Sequence, residues 1–129
     1  MSEKFIIEII SPDRTILKSE TQEVTIPSNE GQMGILKDHI PLITFLRPGI
    51  IVIKGNEEKK YFVEDGTVEF ANNTLLILTS TAKLLSELNK NLVSNLLDEA
   101  EKQFKSDKIN DKKKYLLSYK IDTLKEINQ

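Results

Sequence analysis

Asp38 and His39 are the only adjacent carboxylate and imidazole in this 129-residue sequence, and the chemistry such a pair can do is general-base catalysis. His39 is the single histidine and cysteine is absent, which removes several alternatives at once. A two-histidine metal site within one chain, a thiolate zinc site, an iron–sulfur cluster, a disulfide framework and a thiol nucleophile are all excluded. A reducing interior suits a chain without cysteine. The segment Gly31-Gln32-Met33-Gly34 lacks the Lys-Ser/Thr that completes a phosphate-binding loop, and neither a G-x-S-x-G elbow nor an H-E-x-x-H run occurs. A histidine placed directly before the apolar start Ile40-Pro41-Leu42 reads as a structural residue hydrogen-bonding a loop. The residue inventory therefore argues against an enzyme.

Two other groups of residues invite a binding role. Ser28, Asn29, Glu30, Gly31, Gln32, Met33 and Gly34 read as a loop, with glycine supplying positive φ angles and Met33 exposed. By composition the loop is first a connection; a contact loop is the functional alternative, because methionine adapts to irregular surfaces. Lys112, Lys113 and Lys114, with Lys120 and Lys125 beyond, make the final segment basic. Such a run is ordinarily a solvated face, although it can also steer a segment toward an acidic patch. With 18 basic and 20 acidic residues the net charge is -2, which disfavours a nucleic-acid partner.

The elements that must position these residues divide the chain in two. Every Gly and every Pro lies at or before Gly66, so the first two thirds is cut into short segments and the remainder is not. Residues 1–81 carry 8 basic and 12 acidic side chains, a net of -4, and residues 82–129 carry 10 and 8, a net of +2. Segments 5–10, 23–26, 42–46, 50–53, 61–63, 67–70 and 74–79 are rich in β-branched and aromatic residues. Turn signals such as Ser11-Pro12-Asp13, Arg47-Pro48-Gly49 and Asp65-Gly66 separate them, the pattern of an antiparallel β-sandwich or barrel. The period then changes. Leu88, Leu92, Val93, Leu96, Leu97, Ala100 and Phe104 recur at three- and four-residue intervals and predict an amphipathic helix of about five turns, capped by Ser86 or Asn89. A second helix is predicted from about Lys112, capped by Asp111, with Leu117, Ile121, Leu124 and Ile127 on one face. The predicted organisation is a mainly β N-terminal sandwich, residues 1–83, followed by a two-helix antiparallel hairpin, residues 84–129. Helices this short are marginal alone, so the hairpin must dock on something.

The N-terminal apolar run, residues 5–10, is too short for a secretory signal or a spanning helix, and the chain is expected to stay inside as a soluble or peripheral protein. On that expectation the glycosylation match Asn72-Asn73-Thr74 carries no weight.

Read in order, the residues from Pro27 to Thr44, Pro-Ser-Asn-Glu-Gly-Gln-Met-Gly-Ile-Leu-Lys-Asp-His-Ile-Pro-Leu-Ile-Thr, followed by Leu46-Arg47-Pro48-Gly49, resemble the signature of the epsilon subunit of F-type ATP synthases, E-G-x-x-G-I-L-P-x-H-A-P-L-I-T-x-L-x-P-G. The departures are mainly Lys37 and Ile40. Gly66-Thr67-Val68-Glu69-Phe70 resembles the family's G-G-x-x-E-V, and Leu78-Thr79-Ser80-Thr81-Ala82 its L-A-D-T-A. The resemblance implies a non-catalytic subunit of the rotating central stalk, without a cofactor, bound to the gamma subunit and the c-ring at the cytoplasmic side of a bacterial inner membrane. It implies that residues 28–34 face the c-ring, with charge pairing resting on Glu30 because Gln32 replaces a frequent second acid, and that His39 is structural or interfacial. It further implies a hairpin that inhibits ATP hydrolysis when extended toward the alpha/beta catalytic head, with the basic residues Lys112, Lys113, Lys114, Lys120 and Lys125 meeting an acidic beta-subunit segment. A stand-alone β-sandwich binding module with a helical interaction tail is the alternative from the residues alone.

Some members of that family bind ATP through a hairpin motif resembling I/L-D-x-x-R-A. Here the matching stretch is Leu88-Asn89-Lys90-Asn91-Leu92-Val93, in which Asn89, Leu92 and Val93 replace the Asp, Arg and Ala. Without the arginine fork a phosphate loses its best donor. The isolated chain is expected to bind ATP weakly or not at all, and a micromolar dissociation constant by titration calorimetry would overturn this.

Overall fold

Alternation of apolar and polar residues lays down the strands. In Phe5–Ser11 (β1), Phe5, Ile7 and Ile9 are buried while Ile6 lies outward, as a pleated strand with one covered face requires. The computed structural model describes residues 3–128. After β1 come Arg14–Thr21 (β2), Glu23–Ser28 (β3), Gly31–Leu36 (β4), Leu42–Leu46 (β5), Gly49–Lys54 (β6), Glu58–Val63 (β7), Gly66–Ala71 (β8), Thr74–Leu78 (β9) and Lys83–Leu84 (β10). A 3-10 turn over Leu85–Glu87 leads into two helices, Lys90–Phe104 (α1) and Asp111–Ile127 (α2). The sandwich followed by a helical pair is the predicted architecture.

The hydrogen-bonded path runs β10-β7-β6-β3-β5-β8-β9-β1-β2, with β4 added to β3. Pairing is antiparallel except between β1 and β9, which run parallel. β3 is the hinge of this path. It pairs with β6 through Glu23, Val24 and Thr25 and with β5 only at Ser28 opposite Leu46, so the two halves fold over one core. That core takes Ile51, Ile53, Tyr61 and Val63 from one half and Phe5, Ile7, Ile9, Phe70, Leu75 and Ile77 from the other. Phe5 and Phe70 meet edge to face at 5.7 Å between ring centroids.

β7 departs from alternation, because Tyr61, Phe62 and Val63 are all buried. Tyr61 and Val63 belong to the sandwich core, whereas Phe62 points out of it into a second cluster with Val93, Ala100, Leu117, Ile121 and Leu124 of the helices. Burial, and secondarily the charge of Glu87, raises the pKa of the Tyr61 phenol above its ordinary value.

Three strands escape the sequence pattern. β2 carries Arg14, Lys18 and Glu20 at the outer edge of the sheet, where charge guards against further pairing and masks the strand signal. β4 contains Gly31 and Gly34 and reads as a loop, but pairs with β3 along its whole length, from Ser28 opposite Gly31 to Glu23 opposite Leu36. β10 is only two residues long. Of the helix caps, the first is one of the two expected residues and the second is not. Asn89 caps α1, accepting from the Leu92 amide at 2.7 Å, while Ser86 lies within the 3-10 turn. α1 is therefore 15 residues, about four turns rather than five. Asn110, not Asp111, caps α2 by accepting from the Lys113 amide at 2.8 Å. Asp111 becomes the first helical residue, where its charge complements the helix dipole.

Gly66 opens β8 at φ 149°, and a Cβ there would stand 2.7 Å from the Leu78 carbonyl oxygen. Gly66→Ala is expected to destabilise by roughly 2–3 kcal/mol, from backbone strain and crowding together. Asn110→Ala, which loses one capping bond, is expected to cost about 1 kcal/mol. Urea unfolding of the two variants measures the difference, and equal midpoints would refute it.

Candidate functional site

The β3–β4 turn gathers the first set of candidate residues. Ser28 ends β3 fully buried, and its Oγ donates to the Gly31 carbonyl at 2.6 Å while accepting from the Glu30 amide at 3.2 Å. One hydroxyl thus closes the turn, and Gly31 at φ 125° supplies the backbone angle that a side chain would resist. Asn29 and Glu30 project as the exposed tip. The Asn29 amide donates to the Phe45 carbonyl and the Arg47 amide to the Pro27 carbonyl, each at 2.9 Å, so the tip is tied to β5. Beyond the turn, Gln32 and Gly34 lie outward, whereas Met33 is half-buried against the sandwich core. The reading of Met33 as an exposed loop residue is corrected by the register of β4, which turns Met33 and Ile35 inward and leaves Leu36 exposed.

Asp38 and His39 sit in the turn between β4 and β5. Asp38 adopts φ 66°, and Asn73 clamps it from the β8–β9 turn: the Asp38 amide donates to Asn73 Oδ1 at 2.7 Å, and Asn73 Nδ2 donates to Asp38 Oδ1 at 3.0 Å. Asp and Asn tolerate the left-handed region, and this pair of hydrogen bonds holds Asp38 there. The His39 Nδ1 lies 2.7 Å from the Ile40 carbonyl, which makes it the protonated nitrogen, and the ring meets Phe70 edge-on at 5.9 Å. Carboxylate and imidazole are thus engaged with other groups. Among the described residues, no cluster of three His, Cys, Asp or Glu side chains is arranged to hold a metal ion.

The sheet beside the tip has an apolar outer face. Ile43 and Phe45 of β5 point outward with 74% and 58% of their surface exposed, and Leu78 of β9 with 46%. Register places Phe45 opposite Thr67, Thr67 opposite Leu78, and Leu78 beside Ile10, so three apolar residues share one line across the sheet. The strand Leu42-Ile43-Thr44-Phe45-Leu46 announces this, since it is apolar on both faces.

The helices cover a different part of the sandwich. α2 lies against β6 and β7, with Leu117, Ile121 and Leu124 buried and Phe62 beneath them. Lys112, Lys113 and Lys125 are exposed and Lys114 is half-buried. Lys120 is drawn inward, its Nζ 2.7 Å from Glu64 Oε1. Next to it, the Arg47 guanidinium lies 4.0 Å from the centroid of the Tyr119 ring. A groove of about 960 Å³ opens between α2 and the apolar sheet face, lined by Phe45, Leu78, Ile10, Lys112, Tyr115 and Leu116.

Residues 4–84 match the family model of the ATP synthase delta/epsilon chain β-sandwich domain. The chain belongs to the ATP synthase delta/epsilon family. It is 48% identical over 130 residues to the ATP synthase epsilon chain of Pelagibacter ubique, covering 99% of this chain and all of the relative. It is also 42% identical over 92 residues to the chloroplast ATP synthase epsilon chain of the alga Pyropia yezoensis, covering 67% of this chain and 69% of the relative. Its fold is shared with a chain of the Euglena gracilis mitochondrial ATP synthase, at 23% identity and TM-score 0.75 over 95% of this chain and 78% of the other. A chain of the Tetrahymena thermophila mitochondrial ATP synthase central stalk and c-ring assembly superposes with TM-score 0.70 at 18% identity, covering 99% and 98%. In this epsilon-family chain, sequence reasoning missed Arg47, Glu64 and Tyr119. Their only signal was a charge or ring beside a turn or on a helix, and the partners lie 72 and 56 positions apart in sequence, as the numbering of Arg47 with Tyr119 and Glu64 with Lys120 gives.

Proposed function

We propose that this chain is the non-catalytic epsilon subunit of a rotary F-type ATP synthase, part of the central stalk, carrying torque between c-ring and catalytic head in company with gamma. The observation that carries the proposal is the division of its surface. An exposed apolar sheet face around Ile43, Phe45 and Leu78 suits a permanent partner, for which gamma is the candidate, while the helical pair occupies a separate face. The full-length similarity to the Pelagibacter epsilon chain, helices included, supports the same assignment. In this reading the tip at Ser28, Asn29, Glu30 and Gly31, continued by Gln32, Met33 and Gly34, turns toward the c-ring, with Glu30 as the charged contact and His39 as a structural residue. The complex would sit at the cytoplasmic side of a bacterial inner membrane.

The helical pair acts as a brake in this reading. Folded on the sandwich it permits rotation, and extended along gamma it brings Lys112, Lys113, Lys114, Lys120 and Lys125 to the alpha/beta head, where they meet an acidic beta-subunit segment and hydrolysis is restrained. A brake of this kind needs two docked states within a few kcal/mol of each other. Truncation near Leu85 would strip the cover from Phe62, which is fully buried, so substitutions within the full chain are used instead.

Two outcomes are expected. Phe45→Asp should abolish the 1:1 complex with co-expressed gamma while leaving the thermal midpoint of the isolated chain nearly unchanged, since the side chain is exposed; retention of the complex on gel filtration would refute the gamma face. Reversing Lys112, Lys113 and Lys114 to Glu should relieve ATPase inhibition in the assembled complex, more at low salt than at high salt. Inhibition unchanged at both would remove the basic residues from the brake.

A further inference from the structure

Two polar ties bind α2 to the sandwich, and they fall on neighbouring residues. Gly49 pairs with Val63, so Arg47 and Glu64 both lie just beyond the same end of the β6–β7 pair. Arg47 stacks on the Tyr119 ring at 4.0 Å. The Tyr119 phenol oxygen is 3.3 Å from that of Tyr115, and the two rings meet edge-on at 4.9 Å, which fixes the face that Tyr119 offers. Glu64 pairs with Lys120 at 2.7 Å, with 28% and 17% of their side chains exposed, so solvent screens this pair less than a free surface pair. Among the described residues it is the one ion pair joining a helix to the strand layers.

We propose that Arg47–Tyr119 and Glu64–Lys120 form a two-point latch that holds the compact position of the helical pair and keeps Lys120 neutralised there. The apolar cluster around Phe62 supplies the bulk of docking, but it is non-directional and tolerates sliding. The planar guanidinium on a ring and the short ion pair set the position of α2 along the β6–β7 end. Each tie is weak enough to break, at about three- to tenfold in the open-to-compact ratio. On the proposed brake, which this consequence rests on, Lys120 becomes available to an acidic partner only after release, whereas Lys112, Lys113 and Lys125 are exposed throughout.

The cysteine-free sequence allows a clean test. Exposed Asn56 and Lys108 are replaced by cysteine and spin-labelled, and the distance distribution between sandwich and hairpin is measured in the full chain. Arg47→Gln and Glu64→Lys should each enlarge the long-distance fraction, and Glu64→Lys combined with Lys120→Glu should restore the parent distribution. Arg47→Lys, which keeps charge and loses the planar face, should fall with Arg47→Gln. Should Glu64→Lys lose its helical circular dichroism, Glu64→Gln takes its place. Distributions unchanged by the single variants, or a swap that opens the hairpin further, would overturn the latch. ATPase inhibition in the complex is read separately: opened distances with unchanged inhibition leave the latch and remove the brake.

Discussion

The double burial of β7 is the constraint on which the rest of this structure depends. Tyr61 and Val63 are inside the sandwich, and Phe62, between them, must by the period of a strand face the other way. A fully exposed phenylalanine there would forgo about 1.5–3 kcal/mol of burial. The helical pair supplies the cover, and its own apolar residues, Leu117, Ile121 and Leu124, find theirs in the same contact. Neither part satisfies its hydrophobic surface alone.

That shared cluster explains why polar ties of small individual strength can matter. Apolar burial drives α2 to dock on Phe62, but it is non-directional. Arg47 on Tyr119 and Glu64 with Lys120 are directional, so they select one arrangement. The geometry joins the turn of the LRPG segment, whose glycine packs against Pro27, to the helix that follows it by more than 60 residues. The apolar face of β5 and β9, across the groove from α2, obeys another rule. There Ile43 and Phe45 of β5 and Leu78 of β9 stand exposed on one face, with register aligning Phe45 and Leu78 across β8.

Much of this was legible in the residues. Turn signals at strand-length spacing gave the sandwich, the change from period two to period 3.6 gave the helices, and the ordered string from Pro27 to Gly49 gave the family. β2 and β4 were hidden for opposite reasons: charge at a sheet edge, and glycine inside a paired strand. Met33 followed from that error, since a loop has no inward face and a strand does. Asn110 rather than Asp111 became the second cap because both side chains can accept from the first-turn amides, and only the entry of the backbone chooses between neighbours.

The sequence by itself determined which residues are apolar, at what period they recur and where the chain can turn, because those properties are local and each residue carries its own. Only the tertiary structure decided that Phe62 is covered by helices, that Lys120 is spent on Glu64 while its neighbouring lysines are not, and that Asp38 answers to Asn73 and not to His39. These are pairings between residues tens of positions apart, set by strand register and helix docking. A single sequence holds both partners but does not state the distance between them.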